Sequence, residues 1–430
     1  MLWLELASLL VCILIGARVG GIGLGAVSGL GLAVFVFGFG LPPGRPPTQV
    51  LGMIIAVITA LSVMQAAGGL DYLLEIAEGV LRRNPARITV LAPLVTYALI
   101  FVSGTQHVIY ALLPIIAEVS RNAGVRPERP LSVSVIAAQQ GLTASPVSAV
   151  TVALVGALGG SAIGLPEILL VAIPATLVGV AAGILAVFRR GVELEEDPEY
   201  QRRVAEGKIT VTAAAAKLQG AARRNAIGAC LVFATAITIV VLLGLFPGLR
   251  RNVGMGGAIM IVMLASAGAT FLLFGANAET AVKGGVMKGG LVAFVSILGV
   301  SWLGSSFFEG NKSQIIGAMS ALVSDRPWLF ALCLFTLSIL LMSQAATIVT
   351  LSPVASAIGL SPALFLAVYP AVNGTFFLPT YGTVLAAVSL DQSGTTRIGR
   401  FVLNHSFMRP GLISVLASTL AALALTAVIH

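Results

Sequence analysis

The chain has 430 residues, 57% of them hydrophobic and 10% charged, with a mean hydropathy of +1.01. Soluble domains carry about 25% charged residues, so a soluble domain is excluded, and apolar runs of about 20 residues mark a helical membrane protein rather than a barrel. The formal charge of +8 would suggest nucleic acid in a soluble chain. In a membrane chain it belongs to loops beside anionic lipid, so membrane lipid is an expected partner and nucleic acid is not.

Leu2 to Ile15 lacks a basic leader and a clear cleavage site, so it reads as a retained span rather than a signal peptide. Gly20 to Phe39 is a glycine-rich second span, and Val50 to Ala67 a third. The second span lacks the Gly-Lys-Ser/Thr of a phosphate loop, so its glycines read as close helix packing. Asp71 to Arg83 is an amphipathic interfacial helix closed by Asn84-Pro85. Next comes an apolar segment interrupted by Ser103-Gly104-Thr105-Gln106-His107, a helical hairpin over about 87–120. Leu131 to Leu158 is a span broken at Thr143-Ala144-Ser145-Pro146, and Leu165 to Phe188 another span.

Residues 189–224 form the one long polar segment, read as a cytoplasmic linker with helical character at Ala213–Ala216 and no folded domain. The plan then repeats. Ile227 to Phe246, Ala258 to Phe274 and Val286 to Leu303 are spans. A second hairpin over about 326–358 is interrupted at Ser343-Gln344-Ala345. Pro362 to Val388 is broken near Leu378-Pro379-Thr380-Tyr381, and Gly411 to Ile429 closes the chain.

The halves share local grammar. Pro85 and Pro327 precede the two tips, and Pro114 and Pro353 follow them, at similar spacings. The expected fold is an all-α polytopic membrane protein of two inverted repeats, 1–188 and 225–430, joined by the linker. Each repeat has three spans, a re-entrant hairpin, a broken span and a final span. With both termini outside, five of the 25 Lys and Arg (Arg45, Arg250, Arg251, Lys312 and Arg326) face outward and the rest inward. This satisfies the positive-inside rule.

The chemistry concentrates at the four interruptions. Each combines polar residues with a helix restart, and a restart leaves free N–H groups and about half a positive charge. Ser145-Pro146 reads as an N-cap followed by a first-turn proline, and Ser103 or Thr105, and Ser343, as caps of the hairpins' second arms. Converging restarts make an anion site without a buried lysine or arginine. Pairs of such ends suit a substrate with two carboxylates. Gln106, Gln344, Thr105, Thr143, Ser148, Thr380 and Tyr381 can donate to carboxylate oxygens. Serine and threonine in membrane helices also bond the preceding turn with no further role. His107 is either a titrating group in a proton-coupled cycle or a neutral donor. Cys12, Cys230 and Cys333 have no ligand spacing and read as core filler; no metal or other cofactor is expected. The histidines, His107, His405 and His430, are too scattered for an embedded enzyme.

Several strings carry a family resemblance. Gly104-Thr105-Gln106-His107-Val108-Ile109-Tyr110, Arg126-Pro127-Glu128-Arg129-Pro130 and Ala144-Ser145-Pro146-Val147-Ser148 resemble the Dcu anaerobic C4-dicarboxylate transporters. So do Ser343-Gln344-Ala345-Ala346, Leu378-Pro379-Thr380-Tyr381 and Ser393-Gly394-Thr395-Thr396-Arg397. The resemblance runs the full length and lies nearer the DcuB type than the DcuA type. It implies exchange of fumarate, malate or aspartate for succinate across the bacterial inner membrane in anaerobic fumarate respiration. It also implies an elevator-type homodimer and, for DcuB-type members, partnership with a membrane sensor kinase. The substrate-binding set expected from the four interruptions is Ser103, Gly104, Thr105, Gln106, His107, Thr143, Ser145, Pro146, Ser148, Ser343, Gln344, Ala345, Pro379, Thr380 and Tyr381. Gln106 stands where the family usually has glycine, which bears on pocket width. The alternative is a proton- or sodium-coupled uptake carrier. No aspartate or glutamate within the spans supplies an evident coupling site, which favours exchange.

Overall fold

The computed structural model describes residues 2–19, 22–207, 209, 218–326, 328–379, 381–399 and 404–429, and within these not the side chains of 17, 107, 247 and 315–325. The first part of the chain opens with α1 (Leu2–Val19), α2 (Gly23–Ala33, ending in a π turn, Val34–Gly38), α3 (Thr48–Ala66) and α4 (Gly69–Arg83). A first helical pair follows, α5 (Ile88–Ser103) and α6 (Ile109–Asn122), then a broken pair, α7 (Glu128–Ala144) and α8 (Ala149–Ala157), and α9 (Leu165–Val187). After α10 (Pro198–Ala205) come α11 (Gly220–Leu245), α12 (Met255–Phe274), the short α13 (Ala278–Lys283) and α14 (Gly285–Asp325), whose helical geometry breaks at Asn311. A second pair, α15 (Leu329–Leu341) and α16 (Gln344–Ala357), leads to α17 (Pro362–Val368), α18 (Gly382–Leu390) and α19 (Met408–Ile429).

Hydropathy explains the long elements. Among the described residues, eight helical segments are long and apolar enough to cross a membrane. The protein is an all-α polytopic membrane protein. In α4 the buried Leu70, Ala77 and Leu81 fall on one helical face, while Arg82 turns outward to Glu78 at 2.6 Å. α7 is buried on nearly every side, as a helix at the centre of a bundle must be. The arms α5, α6, α15 and α16 have 16, 14, 13 and 14 residues. At 1.5 Å per residue each is about 20–24 Å long, shorter than a ~30 Å hydrocarbon core.

Packing pairs the two parts of the chain. α9 runs along α19, α3 packs on α12 and α14 on α2, and α8 meets α16 as α6 meets α18. Gly25 serves the contact of α2 with α14: a Cβ there would lie 2.1 Å from the Val295 carbonyl oxygen, and a Cβ on Gly299 would meet Gly25 in turn. Close backbone approach, expected from the sequence, is the structural role of this glycine.

The polar linker is more ordered than its composition suggests. Asp197 caps α10 by accepting the Glu199 and Tyr200 N–H groups at 2.9 and 3.2 Å, and receives Arg126 at 2.5 Å. Burial alone would raise the Asp197 pKa, but Arg126 and the two amides outweigh it and hold the carboxyl below its ordinary range. Arg126 also binds Glu128 at 2.8 Å, and Glu128 accepts from Ser406 at 2.8 Å. Residues 189–206 carry only short helical turns, but they are docked: ion pairs from Asp197, Glu193 and Arg190 hold them to the loop at 126–129, and Arg190 and Arg203 donate to the Ser406 and Gln392 carbonyls. α11 also begins at Gly220, inside the span of sequence assigned to the linker. The expected helical character at Ala213–Ala216 lies outside the described residues.

Candidate functional site

The first tip is shaped by glycine. Gly104 follows the last residue of α5 at φ +62°, a left-handed conformation that closes a helix at little cost to glycine. Its N–H donates to the Ile100 carbonyl at 2.8 Å, and a Cβ there would meet the Val147 carbonyl oxygen at 2.9 Å. Ser103 is the last residue of α5, its hydroxyl 3.4 Å from the Thr105 carbonyl. It caps no second arm. Val108, at the N-cap of α6, supplies no side-chain bond either, because a 3₁₀ turn over Gln106–Val108 comes between. Gln106 is 7% exposed; its Oε1 accepts from the Tyr381 hydroxyl at 2.7 Å, while its Nε2 is buried without a partner. The His107 side chain lies outside the description.

The second tip is shaped by serine. Met342 takes φ +47°, and Ser343 then caps α16 by accepting the Ala346 N–H at 3.2 Å, as its sequence position predicts. Gln344, first in α16, donates through Nε2 to Asn373 Oδ1 and to the Gln139 carbonyl at 3.3 Å.

The two broken spans supply the other restarts. Ser145 does not cap α8. It stands beyond the end of α7 in extended conformation, its hydroxyl donating to the Phe101 carbonyl at 2.7 Å, and Pro146 sits in the turn. The cap is Ser148, which accepts the Thr151 N–H at 3.1 Å. In the second span the break is wider than expected: helical turns end at Val372, and α18 begins after Tyr381. Pro379 is buried in this turn, and Thr380 lies outside the described residues.

All four restarts meet at one cavity of about 580 Å³. Gly104, Thr105 and Gln106 line it from the first tip, and Met342, Ser343, Gln344 and Ala345 from the second. Ala149 and Val150 of α8, and Tyr381, Gly382 and Thr383 at the start of α18, complete this wall. α3 and the first turns of α14 close the other side. Among the predicted residues that are described, Ser103, Thr143, Ser145, Pro146, Ser148 and Pro379 do not line the cavity. They build the turns behind it.

Behind the tips lies a buried hydrogen-bond network that sequence reasoning missed. Its hub is Asn373: Oδ1 accepts from Gln344 and from the Thr143 hydroxyl at 2.8 Å, and Nδ2 donates to Gln140 Oε1 at 3.2 Å. Gln140 continues to Ser414 and Ser418 on α19 at 3.1 and 3.2 Å. The Tyr369 hydroxyl donates to the Thr143 carbonyl at 2.9 Å, satisfying an acceptor freed by the helix break. Asn373-Gly374 in an apolar run is a turn signal, and Gln139-Gln140 within a span a polar one. A second omission is Lys288, which lines the cavity from α14 although the sequence argument put no cation there. Among the described residues no group of three or more His, Cys, Asp or Glu could hold a metal.

A polytopic helical protein whose broken helices restart around one cavity has the construction of a membrane carrier. The family model described as "Anaerobic c4-dicarboxylate membrane transporter" matches residues 1–430. The chain is 41% identical to the anaerobic C4-dicarboxylate transporter DcuB of Escherichia coli O157:H7 over 430 residues, covering 96% of each. It is 40% identical to the C4-dicarboxylate transporter DcuA of Wolinella succinogenes over 423 residues, again covering 96% of each. The chain therefore belongs to the DcuA/DcuB family of anaerobic C4-dicarboxylate transporters, and it is a transporter, not an enzyme. Identities of 41% and 40% do not separate the two types. Among solved structures, the YdaH transporter of Alcanivorax borkumensis, described as having an unusual topology, has the same fold. Its TM-score is 0.59 at 16% identity, covering 99% of this chain and 96% of that one.

Proposed function

We propose that the protein exchanges C4-dicarboxylates across the bacterial inner membrane, taking up fumarate, malate or aspartate and releasing succinate. The observation that carries this is the convergence of four helix restarts on one cavity. Restart N–H groups, the Ser343-capped turn and the Gln106 amide offer partial positive charge without a fixed cation buried among them. Such a site draws in carboxylate and releases it again. His107 and Thr380 remain in the proposed substrate set.

The architecture reads as two inverted repeats, 1–188 and 225–430, with re-entrant hairpins over about 87–120 and 326–358. The short arms and the cross-paired packing support this reading. Both termini then face the periplasm, with the docked linker and most Lys and Arg in the cytoplasm. The tips and broken helices move as one body against the layer of α2, α3, α12 and α14 in an elevator-type shift, within a homodimer.

Counterflow in proteoliposomes tests the exchange mode. Vesicles loaded with unlabelled succinate should take up labelled fumarate, and empty vesicles should not, with or without a sodium or proton gradient. Uptake into empty vesicles driven by a gradient would replace exchange with a coupled carrier.

A further inference from the structure

The partial charges at the helix restarts attract any carboxylate. They do not by themselves separate a dicarboxylate from a molecule of the same length with one charge. Lys288 can. Among the described residues lining the cavity, it carries the sole full formal charge. It stands at the start of α14, where Gly285, Val286 and Gly289 also line the cavity. The Gln65 side chain fixes this start by accepting the Val286 N–H at 3.1 Å. Lys288 is exposed in the first turn of a candidate span, where its flexible stem can carry the ammonium toward water and limit the burial penalty when the cavity is empty.

Its neighbour Lys283 gives the contrast. Lys283 lies 2.5 Å from Glu279 and lines no part of the cavity. Among the described residues Lys288 has no carboxylate within ion-pair distance. On the walls made by the tips and by α18, Gln106 Nε2 and Thr383 Oγ1 are buried without partners. The cavity thus combines neutral donors on the restart side with one mobile cation on the α14 side.

Building on the dicarboxylate reading, we infer that Lys288 receives the second carboxylate and makes the cavity selective for dianions at one face of the membrane. α14 packs on α2 and α3, the layer past which the tips shift in the proposed cycle. A substrate held by the tips therefore meets Lys288 in one state and leaves it behind in the other. A hydrated ammonium on a flexible stem suits this role, because its attraction is strong enough to select and weak enough to release.

The test uses right-side-out and inverted membrane vesicles containing the full-length protein. The KM for succinate and for its monomethyl ester is measured in wild type, Lys288→Gln, Lys288→Arg and Lys283→Gln. Lys288→Gln should raise the succinate KM roughly 5–10-fold at one face, and leave the other face and the half-ester within about twofold on the same argument. Lys288→Arg should restore the succinate KM, and Lys283→Gln should leave it unchanged. An unchanged succinate KM in Lys288→Gln, an equal rise at both faces, or an equal rise for the half-ester overturns the assignment. A wild-type protein that moves no dicarboxylate overturns the underlying reading as well.

Discussion

The two helical tips occupy corresponding places in the chain and line the same cavity, yet they are built differently. At the first, a glycine in left-handed conformation turns the chain, a 3₁₀ segment delays the next helix, and Gln106 keeps Nε2 unbonded. At the second, Met342 takes the left-handed position, Ser343 caps the helix, and Gln344 gives its amide to Asn373 and Gln139. The Gln106 amide is therefore free to donate to an acceptor in the cavity, whereas the Gln344 amide is already committed. On the proposed function we expect the first tip to recognise substrate and the second to hold the structure around it.

The largest test of this contrast is Asn373→Ala. It takes an acceptor from Gln344 and Thr143 and leaves Gln140 Oε1 without its donor. We expect a loss of about 3 kcal/mol in stability, read as a lower unfolding midpoint in detergent. Transport should fall with it, because the second tip loses its support. An unmoved midpoint would mean that this tip is held by its apolar arms instead.

Much of this was legible in the sequence. Hydropathy marked the spans, and polar residues between apolar arms marked all four interruptions. Ser343 was readable as a cap because an N-cap bond depends on the next three residues alone. Ser145 was misread because serine and proline suit both a helix start and the turn before one; two more residues of turn intervene before Ser148 does the capping. The division of labour between Gln106 and Gln344 was not legible. It depends on Asn373, 29 positions beyond Gln344, and on Tyr381, 275 positions beyond Gln106. No local pattern encodes such meetings. Lys288 was overlooked for a related reason: a charge count places a lysine near an interface but does not show which way it faces.

Replacing the two glutamines separately sharpens the comparison. Gln106→Ala removes the unpaired Nε2 donor together with the Oε1 that accepts from Tyr381, so the folded protein should lose about 1 kcal/mol of stability, while dicarboxylate affinity falls about tenfold, the equivalent of one hydrogen bond to a charged group. Gln344→Ala should show the reverse weighting, with the unfolding midpoint falling further than affinity. Equal profiles for the two variants, measured by calorimetric titration and thermal unfolding, would erase the distinction between a recognising and a holding tip.

The smallest effect belongs to the cap. Ser343→Ala leaves the Ala346 N–H without its side-chain acceptor at the start of α16, which typically costs about 1 kcal/mol. Ser343→Thr keeps a hydroxyl at that position and should recover most of the loss. Because Ser343 also lines the cavity, a direct hydroxyl contact to substrate would lower affinity beyond what the weakened cap explains. On the present contrast it should not. Affinity in Ser343→Ala should fall less than in Gln106→Ala and track the change in unfolding midpoint. A larger fall, with the midpoint unmoved, would make the second tip a recognition element as well.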